Sequence, residues 1–138
     1  MTSRLRVYCS CHNLQQVRDF VRHFLLVASP SERLVNQVVL AIDEVVANFI
    51  IHSNGENADH FLDLSLALQD TRLDVEIEDY SATNFTLAGG TPTLDMPAHL
   101  RQGQRGGLGL VLVSRLMDQV AYFERNAHTV CHLSKTLS

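Results

Sequence analysis

Two neighbouring segments with strict alternation of apolar and polar residues place the strongest constraint on how this chain folds. Every second residue is apolar in both, namely Leu62, Leu64, Leu66 and Leu68, then Leu73, Val75 and Ile77. This period of two predicts two β-strands, Phe61–Gln69 and Arg72–Asp79, each with one buried face. Asp79 falls on the apolar face at the end of the second strand, where a carboxylate needs a polar partner.

A long amphipathic helix is predicted before these strands. Its apolar residues recur at helical spacing: Val35, Val38, Val39, Ile42, Val46, Phe49 and Ile50. This stripe predicts a helix over Ser31–Ser53 that packs on the sheet, with Asn54-Gly55 as its stop signal. Glu44 and Asn48 are one turn apart and project together, nearly opposite the centre of the stripe and beside Ala41.

Five further segments complete the predicted order of elements. They are a strand at Arg4–Cys9, a helix at Asn13–Ala28 capped by Asn13, a helix at Gly107–Leu116, and strands at Asp118–Glu124 and His128–Lys135. Residues 81–104 show little periodicity and are expected to form an irregular loop. The order predicts an α+β fold, a two-layer α/β sandwich with helices on one face of a mixed or antiparallel sheet. At 138 residues, one domain over residues 1–138 is expected.

Charge and composition argue against several classes of function. A net charge of −4 and a pI near 5.9 argue against direct nucleic-acid binding. We expect no membrane association, because no apolar run approaches membrane-spanning length and no signal-peptide core is visible. The 3 cysteines cannot all pair, which is typical of a reducing compartment, so a cytoplasmic location is expected.

Cysteines and histidines near both ends of the chain suggest a zinc site as one interpretation. The residues concerned are Cys9, Cys11, His12, His128, Cys131 and His132. Their spacing matches no usual structural zinc pattern. Ordinary core and surface positions are the better interpretation.

The Glu44/Asn48 pair has two interpretations. One is an ordinary solvated helix face. The other is a metal site, because Leu40 and Ile51 flank the pair and make that face partly apolar. An asparagine amide oxygen is a hard ligand that suits Mg²⁺ when phosphate groups supply other ligands.

Asp79 and the later glycine run also have two interpretations each. Asp79 either caps a turn or accepts a hydrogen bond from an exocyclic amine, which would select adenine over guanine. The run Arg105–Leu110 is either a loop before an ordinary helix or an anion site at a helix N-terminus. Glycines there would let the backbone approach a phosphate closely, and Arg105 would add a charge-assisted contact.

In order and spacing, these elements resemble the GHKL (Bergerat-fold) ATPases, and among them the small bacterial anti-sigma factor serine kinases. The resemblance rests on Glu44-Val-Val-Ala-Asn48-Phe-Ile-Ile-His52, on Ile77-Glu78-Asp79, and on Arg105-Gly106-Gly107-Leu108-Gly109-Leu110 followed by Leu116-Met117-Asp118. It implies the Bergerat fold with ATP and Mg²⁺ as cofactors. Members of the family phosphorylate a serine of a STAS-domain anti-anti-sigma factor, bind a sigma factor or a related regulator, and are usually homodimers.

The resemblance also implies a role for individual residues. Glu44 is implied as the general base toward the attacking hydroxyl, and Asn48 as the magnesium ligand. Asp79 is implied to meet the adenine amine, with Thr129 near the adenine. The implied phosphate site is lined by Arg105, Gly106, Gly107, Leu108 and Gly109.

One segment departs from the family pattern. The family aspartate is followed by glycines as D-x-G-x-G, whereas this chain has Asp79-Tyr80-Ser81-Ala82-Thr83. The first hypothesis is an ATP-dependent protein serine kinase, and the second is a binding module that acts by sequestration alone. The departure motivates the second, and a Tyr80 ring filling the nucleotide pocket would favour it. A third hypothesis is a detached histidine-kinase catalytic domain that acts in trans.

Overall fold

A computed structural model describes residues 1–28, 31–80 and 107–137, which form one sheet covered by helices. The strands are β1 (Thr2–Tyr8), β2 (Phe61–Gln69), β3 (Arg72–Asp79), β4 (Gln119–Arg125) and β5 (His128–Thr136). The helices are α1 (Leu14–Ala28), α2 (Glu32–Asn48) and α3 (Gly107–Leu116), with a short 3-10 turn at Cys11–Asn13 and a π-turn at Phe49–Ser53. The sheet order is β1-β2-β3-β5-β4, and each of its four pairings is antiparallel. The predicted α+β sandwich is therefore confirmed in its antiparallel form.

The core lies between one face of the sheet and α2. All seven apolar residues of the predicted stripe on this helix are buried. α2 also packs against α1 and α3, so it is the central helix of the layer. Ala41, which we placed on the polar side beside Glu44, is fully buried, because α2 has neighbouring helices as well as the sheet below it.

The two ends of α2 follow from local chemistry. The Ser31 side chain accepts a hydrogen bond from the backbone N–H of Leu34 and caps the start of the helix. The last predicted turn, Phe49–Ser53, is a π-turn, a form frequent at functional sites. Gly55 then adopts a φ of +56°, which glycine tolerates without strain, so the predicted stop is confirmed.

The start of α1 differs from the prediction. Asn13 was expected to cap this helix, but it is the last residue of the 3-10 turn Cys11–Asn13. Ser10 caps that turn instead, since its hydroxyl accepts from the backbone N–H of His12. The Asn13 amide donates to the carbonyl of Tyr8 at 2.9 Å and ties the turn to the end of β1.

The helical stretch Glu32–Ser53 is long and apolar enough to cross a membrane by length and composition, with a mean hydropathy of 1.7. The expectation that no apolar run approaches that length was therefore wrong. Half of an 18-residue apolar window of this stretch is buried inside the fold. A central core helix meets the same criterion, and burial accounts for its apolar composition.

The face of the sheet opposite the helices carries a network of charges. Asp63 accepts from Arg4 and Arg6, and Arg125 donates to both Glu76 and Glu78. Two histidines of β5 join this network, with His128 at 2.8 Å from Glu78 and His132 at 3.0 Å from Asp74. The alternating acids of β3 thus have hydrogen-bonding partners on β4 and β5.

Glu78 makes the stability of the fold sensitive to acid. Burial alone would raise the pKa of Glu78, but hydrogen bonds from Arg125 and His128 outweigh it and lower that pKa. A carboxylate with a lowered pKa in the folded state stabilises the protein above its unfolded pKa, about 4.3, and ceases to do so as the pH falls through the folded value.

Replacing Glu78 with glutamine tests this pH dependence. We expect Glu78→Gln to lower the free energy of unfolding by about 1 kcal/mol near neutral pH, discounted for the half-exposed Arg125. The difference from the wild type should shrink toward zero below about pH 4. Urea unfolding across this range measures it, with the exposed Glu124→Gln as the control. A difference that is independent of pH would contradict the assignment.

Candidate functional site

Asp79 lies at the end of β3 on the helix-facing side of the sheet and is fully buried. Its neighbour across the β3–β5 pairing is Thr129, which is also buried, and its neighbour across the β2–β3 pairing is Leu62. The structure therefore brings together the two residues that sequence analysis assigned to adenine. A carboxylate and a hydroxyl, both hydrogen-bonding groups, lie at the end of an otherwise apolar face.

A hydrogen bond from Asn54 holds the buried carboxylate. The amide nitrogen of Asn54 donates to Asp79 Oδ2 at 2.9 Å and to the carbonyl oxygen of Phe49 at 2.8 Å. Asn54 is itself buried. Sequence analysis assigned it only as part of a helix stop, and the sole signal for this contact was that a carboxylate on the core face needs a partner.

Burial keeps the nearby cysteines protonated. The pKa of Cys9 is raised to about 11, first by burial and second by the negative charge of Asp79. Burial raises the pKa of Cys131 to about 12. Metal-binding cysteines require the thiolate form, and neither thiol favours it. Across the described ranges, no three cysteine, histidine or acidic side chains are grouped so as to hold a metal ion.

Glu44 and Asn48 lie one turn apart on α2 and are both partly exposed. Among the described residues, Glu44 has no hydrogen-bond or ion-pair partner. The amide nitrogen of Asn48 is buried and makes no hydrogen bond within the described part of the chain. Leu40 and Ile51, which flank the pair, are 41% and 39% exposed. The pair therefore combines an available carboxylate with an unsatisfied amide beside exposed apolar side chains.

This arrangement fits a magnesium-bound polyphosphate. A buried amide without a partner is rare in a folded protein, and a ligand is one explanation of it. The amide oxygen of Asn48 suits Mg²⁺, and its NH₂ group can donate to a phosphate oxygen. The residues present therefore fit the implied cofactors.

The glycine run lies only partly within the described residues. Gly107, Leu108 and Gly109 are the first three residues of α3, so their backbone N–H groups belong to the first turn of a helix that packs against α2. Arg105 and Gly106 lie outside the described residues. The described part of the run is therefore at a helix N-terminus, where an anion site was predicted.

The Tyr80 ring lies on the face of the sheet opposite Asp79. It stacks on Phe61 with ring centroids 5.3 Å apart and contacts the ring of His128 at 4.4 Å. Phe61 and His128 both point away from the helices, because they alternate with the buried Leu62 and Thr129. The Tyr80 ring therefore does not lie on the helix-facing side of Asp79.

Fold and sequence together define an ATPase domain. The chain belongs to the histidine kinase-like ATPase domain family, whose model matches residues 9–135. Among curated proteins, it is 26% identical over 123 residues to the anti-sigma F factor of Bacillus cereus (strain G9842), covering 88% of this chain and 82% of that protein. The anti-sigma F factors of Bacillus thuringiensis (strain Al Hakam) and Bacillus mycoides (strain KBAB4) match to the same extent.

Two solved structures share the fold. One contains the RsbU and RsbW domains of a Mycobacterium tuberculosis protein, with a TM-score of 0.69 and 16% identity. The match covers 99% of this chain but only 32% of that longer chain. The other is the SiaB-SiaC complex from Pseudomonas aeruginosa, with a TM-score of 0.62 and 15% identity, covering 96% of this chain and 87% of that chain. Membership of the family implies ATP as the ligand, whereas these structures support the fold alone.

Proposed function

We propose that this protein is an anti-sigma-type protein serine kinase. It binds ATP with Mg²⁺, phosphorylates a serine of a STAS-domain anti-anti-sigma factor, and sequesters a sigma factor or a related regulator. The observation that carries the proposal is the buried Asp79 beside Thr129, on the same side of the sheet as the helix that bears Glu44 and Asn48. The curated relatives named anti-sigma F factor support this choice of partner. The proposal also includes that the protein is a cytoplasmic homodimer and that it binds neither nucleic acid nor membrane.

The adenine end of the proposed site depends on Asp79. A carboxylate oxygen accepts a hydrogen bond from the exocyclic amine of adenine, whereas guanine presents a carbonyl acceptor at that position. Two acceptors facing each other in a buried site are unfavourable, so Asp79 selects ATP over GTP. Thr129 lies beside it and contributes a hydroxyl that can donate or accept.

The phosphate end depends on α2 and the start of α3. Asn48 ligates Mg²⁺, which when bound neutralises negative charge on the phosphates. Backbone N–H groups of Gly107, Leu108 and Gly109 add hydrogen bonds and the positive end of the helix dipole. The proposal extends this site to Arg105 and Gly106.

Glu44 is proposed as the general base. The serine hydroxyl oxygen of the partner forms a bond to the γ-phosphorus while the bond from that phosphorus to the bridging oxygen breaks, releasing ADP. Glu44 accepts the hydroxyl proton as the new bond forms. A carboxylate without a partner among the described residues is available for this transfer.

The alternative is a module that acts by sequestration alone. It rests on the side chains of residues 80–83, where the family has glycines. The Tyr80 ring packs on Phe61 and His128, on the face of the sheet opposite the proposed adenine site. This orientation argues for the kinase, because the ring does not fill that site. Ser81, Ala82 and Thr83 lie outside the described residues.

Phosphate transfer tests the kinase directly. The protein is incubated with γ-labelled ATP, Mg²⁺ and each STAS-domain protein of the same genome. We expect label on one serine of one STAS protein, and loss of that label when EDTA removes the metal ion. The same STAS protein with that serine replaced by alanine is the control. Binding of a STAS protein without any label transfer would favour the sequestration module.

A further inference from the structure

A chain of hydrogen bonds runs from a surface turn to the buried Asp79. Asn57 Nδ2 lies 3.3 Å from His60 Nε2, and His60 Nδ1 lies 3.0 Å from Asn54 Oδ1. Asn54 Nδ2 then donates to Asp79 Oδ2 at 2.9 Å. Of the residues joined by these hydrogen bonds, only Asp79 was predicted to be part of a site.

The orientation of the Asn54 amide determines which group donates in each of these hydrogen bonds. Its Nδ2 contacts two acceptors, the Asp79 carboxylate and the Phe49 carbonyl, so the NH₂ group must face them. The amide oxygen therefore faces His60 and can only accept, so His60 Nδ1 carries the proton. Neutral His60 then has an unprotonated Nε2, which accepts from Asn57.

The turn that holds His60 is tied to the sheet by its backbone. The N–H of His60 donates to the carbonyl of Asn57, and the carbonyl of His60 accepts from the N–H of Cys9. His60 thus presents its Nδ1–H to Asn54 from a fixed position. The Asn54 amide is thus hydrogen-bonded through both its oxygen and its NH₂ group.

We propose that Asn54 is the positioning residue for Asp79, with its amide oriented by His60. The inference rests on the proposed function, in which Asp79 meets the adenine amine. Because Asn54 donates a hydrogen bond to Oδ2, it restrains the orientation in which the carboxylate meets the nucleotide. Among the described residues, the groups near Asp79 include the neutral Cys9 thiol, the Thr129 hydroxyl and the Asn54 amide.

The tautomer of His60 tests the arrangement without any nucleotide. We expect ¹⁵N NMR of the full chain to show neutral His60 protonated at Nδ1. Replacing Asn54 with leucine removes the acceptor, and His60 should then shift toward the Nε2–H form. Protonation at Nε2 in the wild type, or no change in Asn54→Leu, would overturn the inference.

Nucleotide binding tests the consequence for Asp79. We expect Asn54→Leu to weaken ATP binding about tenfold or more and to reduce the preference for ATP over GTP, because the carboxylate loses a charge-assisted hydrogen bond. Asn36→Leu makes the same change at an exposed position of α2 and should leave both affinities unchanged. Equal ATP affinity and selectivity in Asn54→Leu and the wild type would refute the positioning role.

Variants of His60 keep the test valid if Asn54→Leu does not fold. His60 is only partly buried, so its replacement disturbs the core less. His60→Leu should weaken ATP binding several-fold, whereas His60→Gln retains an N–H donor and should restore affinity to within about twofold of the wild type. Equal weakening by both would contradict the role of the donor. If the wild type bound no ATP, the proposed function would fail, while the His60 tautomer would still decide the orientation of Asn54.

Discussion

Replacing Glu44 with alanine is expected to lower the rate of phosphate transfer by about 10²–10⁴-fold, the usual contribution of a general base. The affinity for ATP should change little, because Glu44 meets the serine hydroxyl rather than the nucleotide. A single-turnover assay with labelled ATP and the STAS partner measures the rate, and calorimetry measures the affinity. Loss of rate with unchanged binding is the signature of an interaction made only in the transition state.

The matched control for Glu44 is Glu32, an exposed acid in the first turn of the same helix. It is about 18 Å away along the helix axis, given a rise of about 1.5 Å per residue. Glu32→Ala removes the same charge and should leave the transfer rate within about twofold of the wild type. Normal phosphate transfer by Glu44→Ala would show that another group takes the proton.

Replacing Asp79 with asparagine is expected to weaken ATP binding by about 100-fold, although the two side chains have nearly the same shape. The Asn54 NH₂ group must face an acceptor, and the new amide has only one oxygen to offer. The NH₂ group of the introduced asparagine then faces the adenine amine, so two hydrogen-bond donors face each other and no hydrogen bond forms. A guanine carbonyl would accept from the same NH₂ group, so the preference should shift toward GTP.

Competitive binding of ATP and GTP to Asp79→Asn measures both effects. A urea unfolding curve of the variant serves as the control for folding, because a loss of structure would lower both affinities together. An unchanged ATP affinity in a folded Asp79→Asn variant would contradict the assignment of adenine to this carboxylate.

Most of the fold was predictable because apolar residues recur in the sequence with the clear period of a strand or of a helix. Phe61–Gln69 and Arg72–Asp79 alternate without interruption, and both have the predicted bounds. α2 presents a broad apolar stripe with a serine at its start and a glycine after its end, so both ends follow from local signals. The pleat also places Asp79 and Tyr80 on opposite faces, which sequence alternation alone implies.

The remaining features depend on contacts between distant segments. Ala41 is buried because α2 packs against other helices as well as the sheet, which the pattern of a single helix does not reveal. Asn54 and Asp79 are 25 positions apart, and their hydrogen bond depends on how the turn after α2 meets the end of β3. The roles of Glu44, Asn48, Thr129 and the glycine run stay predictions, since they concern a bound ligand.

Calorimetric titration of the wild-type protein with ATP tests the central claim most directly. Our account predicts one ATP bound per chain in the presence of Mg²⁺, and markedly weaker binding when EDTA is added. No binding at millimolar ATP, with or without Mg²⁺, would contradict a nucleotide site between Asp79 and the Glu44/Asn48 face of α2.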